Sequence, residues 1–201
     1  MKKIQFFGML LLIMLNIVVW AANTPPVLML QESARQIIAV LEQNKSNLAK
    51  NKHVIVAAVQ KYLVPHVDVN GMSRSVLGRI AWNKATAAQR EDFTKQFTQL
   101  VIRTYTTPLA EYHHETIRFL PIRDIGQQRF LHVDSVIENT NGRKIPLRYS
   151  LVLLNNEWKI YDFSIEGVSL LQSFRTQFAT ALSQSDMTAL LSVMRQHSKG
   201  M

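Results

Sequence analysis

The sequence predicts an α+β domain, with N-terminal helices packed on a curved four-stranded antiparallel sheet around an apolar pocket, and helices again at the C-terminus. Three observations point there. Apolar residues recur at helical spacing through the first half of the chain, the period changes to two between residues 115 and 165, and helical spacing returns after Gly167. Helices followed by a meander of strands pack as segregated layers rather than as alternating βα units. No linker or internal repeat interrupts the pattern, so residues 22–201 read as one domain.

The elements follow in order. Residues 28–43 ("LMLQESARQIIAVLEQ") place Leu30, Ala34, Ile37 and Leu41 on one helical face. Residues 52–64 continue the helical content up to Pro65. In "GMSRSVLGRIAW", Val76, Leu77 and Ile80 form one stripe. The clearest start is "NKATAAQREDF", where Thr86 caps a helix and Gln89, three residues on, reaches back as a capping box. Phe93, Phe97, Leu100 and Val101 then mark a face running towards Tyr105, and Pro108 is expected to kink or end that helix.

Four strands come next: "ETIRFLPI", "QRFLHVDSVIE", "KIPLRYSLVLLN" and "EWKIYDFSI", separated by "RDIGQ", "NTNGR" and "NNE". Asn141-Gly142 marks a hairpin. Leu147, Tyr149, Leu151 and Leu153 alternate on one strand. On the next, Lys159, Tyr161, Phe163 and Ile165 share one face, and Ile160, Asp162 and Ser164 share the other. After Gly167, Val168, Leu171, Phe174 and Phe178 resume helical spacing. A last helix starts near Asp186, with Ser185 as its candidate cap. A short, strongly twisted sheet wraps its helices rather than lying flat on them, which leaves either a cavity or solid core between the layers.

Composition narrows the function. Lys2-Lys3, the apolar run that follows and the small residues of "VWAANT" describe a secretory signal peptide, residues 1–21, cleaved after Ala21 with Val19 at −3. Without cysteine the fold must be held by its core alone. Loss of Lys2 and Lys3 with the peptide lowers the formal charge from +9 to +7. Lys and Arg are scattered, with no block of five or six, so anionic lipid surfaces and acidic docking faces suit this charge better than nucleic acid.

Catalytic signatures are sparse. "GMSRS" and "GVSLL" both lack the closing glycine of a nucleophile elbow, and no phosphate-binding G-x-x-x-x-G-K-[ST] occurs. "EYHHE" at 111–115 spaces Glu111 and His114 as in di-iron bundles, but those need a second such motif and two further carboxylates, so a polar helix end is the simpler reading. Asp162 is the one enzymatic candidate. A carboxylate in an apolar cone would serve as the general base of a small isomerase or hydrolase, although no electrophilic partner is placed opposite it.

Three stretches, "VLGRIAWNKATAAQREDFTKQF", "YHHETI" and "YDFSIEGVSLLQSFRTQF", resemble the MlaC family, the toluene-tolerance auxiliary proteins, and the resemblance runs from about Leu28 to Leu191. Its most specific residues are Leu77-Gly78, Trp82, Ala85-Thr86, Gln89-Arg90, Phe93, Phe97, Tyr161-Asp162 and Glu166-Gly167-Val168-Ser169. The resemblance implies a curved sheet of the cystatin and nuclear-transport-factor type around a deep pocket for phospholipid acyl chains. It implies a periplasmic carrier working between an outer-membrane lipoprotein–porin complex and the MCE-domain subunit of an inner-membrane ABC transporter, so maintaining outer-membrane lipid asymmetry. No cofactor, metal or catalytic residue comes with it.

The pocket wall is then expected from Val76, Leu77 and Ile80; from Phe93, Phe97, Leu100, Tyr105 and Leu109; and from the strand residues Leu147, Tyr149, Leu151, Tyr161, Phe163 and Ile165. Val168, Leu171, Phe174 and Phe178 would close it. The competing readings are an enzyme centred on Asp162 and a structural adaptor whose cone is solid core.

Overall fold

The computed structural model describes residues 25–122 and 128–199. The expected signal peptide, residues 1–21, and the expected turn at 123–127 lie outside them. Helix α1 (Pro26–Gln43) begins on a proline, whose fixed φ suits the first helical position and whose missing N–H would have had no partner there. A 3₁₀ turn (Lys45–Asn47) leads to α2 (His53–Tyr62), and a second one around Pro65 (Val64–His66) stops it. Val67 then bridges to Ile160, and the Asp68 amide donates to the Ile160 carbonyl at 2.9 Å. The start of α3 (Val69–Lys84) is thus tied to the sheet, and the Asp68 carboxylate caps it by accepting from the Gly71 amide.

Helix α3 breaks at Gly78, whose φ of 73° and ψ of 162° belong almost only to glycine. The stripe read from Val76, Leu77 and Ile80 therefore splits: the first two are buried, whereas Ile80, beyond the break, is 71% exposed. Arg90 secures the segment after the break, donating to the Trp82 carbonyl at 2.8 Å and lying over the Trp82 ring. Helix α4 (Ala87–Ala110) opens with the expected capping box. The Gln89 amide donates to Thr86 Oγ1 at 3.2 Å, and the Thr86 amide to Gln89 Oε1 at 2.9 Å. Pro108 falls within the last turn of α4, which ends two residues later at Ala110.

The sheet has five strands, not four, in the order β1 (Thr116–Phe119), β2 (Phe130–Glu138), β3 (Lys144–Leu154), β4 (Glu157–Ile165) and β5 (Val168–Ser169), all antiparallel. The extra strand is the stretch read as the start of a helix. Glu166 and Gly167, with φ of 50° and 84°, make a two-residue hairpin loop, and Asn155-Asn156 makes another. Positive φ at both loop positions matches the right-handed twist of the flanking strands. Around Asn141-Gly142 the connection is a longer loop, closed by the Asn139 amide donating to the Arg143 carbonyl. Ser169 caps α5 (Leu170–Gln184). For α6 (Met187–Lys199) the cap is Asp186, which accepts from the Ala189 amide at 2.8 Å, while the Ser185 hydroxyl turns back to the Ala181 carbonyl.

One irregularity shapes the sheet. Ser150 pairs with Asp162 but Leu151 pairs with Ile160, so Tyr161 is an extra residue on β4. A bulge of this kind bends its strand and increases local twist. It also flips the side-chain alternation. Ile160 shares the inner face with Phe163 and Ile165, opposite Leu151, Tyr149 and Leu147. Lys159 and Tyr161 do not; the Tyr161 ring packs edge-on against the exposed Phe130, 5.8 Å away.

Three apolar clusters surround this bent sheet. Met72, Val76, Phe93, Phe97, Phe174 and Phe178 join α3 and α4 to α5 and α6. Met29 and Leu30 of α1 cover Leu131, Val133, Leu151 and Ile160 at one end of the sheet. Leu41, Leu48, Ile55, Val59 and Ile102 join α1, α2 and α4. Asp162 fastens the last helical pair, accepting from the Ser169 hydroxyl at 2.7 Å and from the Leu171 amide at 3.1 Å.

Two stability changes follow. Gly78→Ala meets nothing within 4 Å of the new methyl group, so its cost is backbone strain alone, about 1–3 kcal/mol, measured as a lower urea midpoint at unchanged slope. Asp162→Ala strips two donors of their acceptor and is expected to cost about 1–3 kcal/mol, with Asp162→Asn recovering part of it in the same titration.

Candidate functional site: an apolar cavity between sheet and helices

Where the three clusters fail to meet, a cavity of about 430 Å³ remains. Helix α4 supplies one wall through Phe97, Val101, Ile102, Tyr105 and Leu109. Val59 of α2, with Leu63, Val64, Val67, Val69 and Met72 after it, supplies a second. The sheet supplies the third: Ile137 on β2, Ile145, Leu147 and Tyr149 on β3, and Ile160, Phe163 and Ile165 on β4. Alternation explains the β3 set, since every second residue points inward.

Among the described residues no charged side chain lines this space. Its side chains offer only three oxygen atoms, the hydroxyls of Thr98, Tyr105 and Tyr149. Burial pushes the Tyr105 phenol above its ordinary pKa, helped by the negative charge of Asp162, and its ring packs edge-on against Phe163 at 5.5 Å. Burial carries Tyr149 further, up to about 12, with the Ser135 hydroxyl pulling the other way. Both phenols stay neutral at physiological pH. A buried water needs two to four polar partners, and most of this surface offers none, so the cavity suits hydrocarbon.

Seven expected residues line the cavity: Phe97, Tyr105, Leu109, Leu147, Tyr149, Phe163 and Ile165. The others lie elsewhere. Val76, Leu77, Phe93, Phe174 and Phe178 are buried in the α3–α6 cluster, with Phe93 and Phe178 rings 5.3 Å apart, and Leu100 and Leu171 pack against it. Amphipathic spacing marks the face turned inward, and here most of that face meets another helix rather than the void. Leu151 is fully buried beneath α1. Ile80 is put outside by the break at Gly78, Val168 is 64% exposed on the short β5, and Tyr161 is turned over by the bulge.

Sequence reasoning missed the α2 contribution and Ile160. The run "HVIVAAVQKYLV" was a usable sign, because two rows of aliphatic residues on one short helix exceed what a single neighbour covers. Ile160 had no such sign, since only the bulge brings it inward. Asp162 does not line the cavity. Its carboxylate is instead engaged at the start of α5, accepting from the Ser169 hydroxyl and the Leu171 amide.

The histidine-rich turn forms a polar cluster elsewhere on the molecule. Glu42 accepts from the Tyr112 hydroxyl at 2.9 Å and pairs with His114 Nδ1 at 2.7 Å, while Lys45 contacts the other ring nitrogen. The Tyr112 hydrogen bond is the main reason the Glu42 carboxyl sits below its ordinary value. Glu111 takes no part in that set. The turn joins α1 to the segment entering β1, as a polar helix end does.

Known proteins share this arrangement. The solved structure of a phospholipid-binding protein from Ralstonia solanacearum, in complex with a phospholipid, matches with a TM-score of 0.77 at 25% identity, covering 84% of this chain and 94% of that one. The intermembrane phospholipid transport system binding protein MlaC of Haemophilus influenzae is 27% identical over 87% of this chain and 83% of its own. The toluene tolerance protein ttg2D of Pseudomonas putida is 28% identical over 82% of this chain and 76% of its own. The model of the MlaC protein family matches residues 31–196, nearly every element described above, and the chain belongs to that family.

Proposed function

We propose that this protein is a phospholipid carrier that holds acyl chains in the cavity between its sheet and α2–α4. The observation that carries the reading is a wall of about twenty side chains without a single charge, in a chain whose solved likeness holds a phospholipid. Each methylene moved out of water gains about 0.8 kcal/mol, so two ordinary chains carry on the order of 20 kcal/mol of gross transfer free energy. A phospholipid does not leave a membrane at a useful rate unless something shields its tails, and an uncharged cavity supplies the shield.

The expected signal peptide places the work in the periplasm. Among the described residues no helix is long and apolar enough to cross a membrane. Lipid would pass between an outer-membrane lipoprotein–porin complex and the MCE-domain subunit of an inner-membrane ABC transporter. The chain has no nucleotide-binding motif, so its partners must set the direction, each drawing on a different affinity for the loaded and empty states. The net positive charge would draw the carrier to acidic partner faces or anionic head groups.

Protein purified without detergent is expected to yield phospholipid on organic extraction, read by mass spectrometry, and to take it up from phosphatidylglycerol vesicles. Folded protein that carries none and acquires none would refute the carrier. Ile145→Trp, which adds a ring to a half-buried position facing the void, should lower lipid occupancy severalfold while leaving the circular dichroism spectrum intact. Leu151→Trp overfills solid core instead and should cost about 1–3 kcal/mol of stability in a thermal melt.

A further inference from the structure

We infer that Tyr149 is a partition between the main cavity and a smaller apolar annex, and that it determines how long an acyl chain the protein accepts. The inference rests on the carrier reading above. The annex, about 210 Å³, lies beneath α1 on the far side of the cavity wall. It shares six residues with the main cavity: Val59, Leu63, Leu109, Ile137, Leu147 and Tyr149. The two spaces are therefore separated by a layer one side chain thick.

The annex has the chemistry of a chain terminus. Leu30, Ala34, Ile37 and Leu41 of α1 line one side and Ile117 of β1 another. Its polar members include Ser33, Tyr112, Thr116 and the carboxylate of Glu115, which accepts from the His113 amide at 2.7 Å. The Ser33 hydroxyl donates to the Met29 carbonyl at 2.9 Å, and Tyr112 donates to Glu42 on the outer surface. A space so lined attracts methylenes more readily than water.

Tyr149 is the partition element because it is the largest of the six shared side chains and the only aromatic one. Its ring stands on the inner face of β3 and stacks on Phe119, with centroids 6.0 Å apart and planes inclined by 27°. Phe119 belongs to β1, which is only four residues long and has a strand neighbour on one side alone. The Tyr149 ring thus leans on a short edge strand. A chain that ends within the main cavity leaves it in place. A longer one must displace it and extend beneath α1. Each methylene that enters the annex then gains roughly fourfold in affinity.

The test offers the purified protein mixed vesicles containing equal amounts of dilauroyl, dipalmitoyl and distearoyl phosphatidylglycerol. Bound species are quantified by mass spectrometry after gel filtration. Ala34→Leu, which fills the annex from α1 without touching the main cavity wall, should lower the ratio of distearoyl to dilauroyl lipid about tenfold. Tyr149→Ala, which removes the partition and adds no atoms that could block folding, should raise the same ratio. A length profile that neither variant changes, in wild-type protein that does bind lipid, overturns the partition alone. Wild-type protein that binds none of the three lipids overturns the carrier reading, and the partition falls with it.

Discussion

Strand β4 carries one residue more than β3 can pair with, and the cavity depends on that slip. The register moves between Ser150–Asp162 and Leu151–Ile160, leaving Tyr161 outside the ladder. A regular pair of strands would keep Lys159 and Tyr161 on the inner face with Phe163, placing an ammonium group beside the hydrocarbon wall. The bulge turns both away and brings Ile160 inward. Lys159 then finds the Pro65 carbonyl and Glu157 at the surface. The same slip bends the sheet. On one side of the bend Leu151 packs under Met29 and Leu30; on the other, Leu147 and Tyr149 line the cavity.

The walls of an apolar cavity have to be held apart by structure that gains nothing from closing them. The three clusters do this. Each is a packed core in its own right, and together they fix α2, α3 and α4 at a distance from the sheet. The α3–α6 cluster joins four phenylalanine rings in edge and stacked contact. Asp162 and the bridge from Val67 to Ile160 bind the helical layer to β4 on either side of the void. The polar interactions here keep a space open.

The charges are kept at the surface. Arg148 grips Asp134 across β2 and β3 at 2.7 and 3.1 Å, Arg143 meets Glu166 at the last hairpin, and Arg195 joins α6 to Asp92 on α4. Exposed pairs of this kind contribute little to stability. They satisfy local geometry while leaving the inner face free of formal charge. A cavity whose described lining offers only three hydroxyls presents area and shape rather than charge to whatever enters it.

Most of the secondary structure was legible in the chain, because capping boxes, proline positions and hydrophobic periods are local properties. Thr86 with Gln89, the stop at Pro65 and four of the five strands follow from residues within one turn or one hairpin of each other. Helical periodicity also identified the faces turned inward, but it could not say whether an inward face meets another helix or a void. Phe93, Phe174 and Phe178 share their spacing with Phe97 and Tyr105, and only the packing of α5 and α6 separates core from cavity wall. The break at Gly78, which carries Ile80 outside, and the bulge at Tyr161, which exchanges Tyr161 for Ile160, are each one residue wide. A pattern that counts residues passes over both. The sequence by itself determined the elements and their apolar faces, since those depend on neighbours along the chain. The tertiary structure decided which of those faces remain unfilled, because that depends on the register of two strands and on where three separate cores stop.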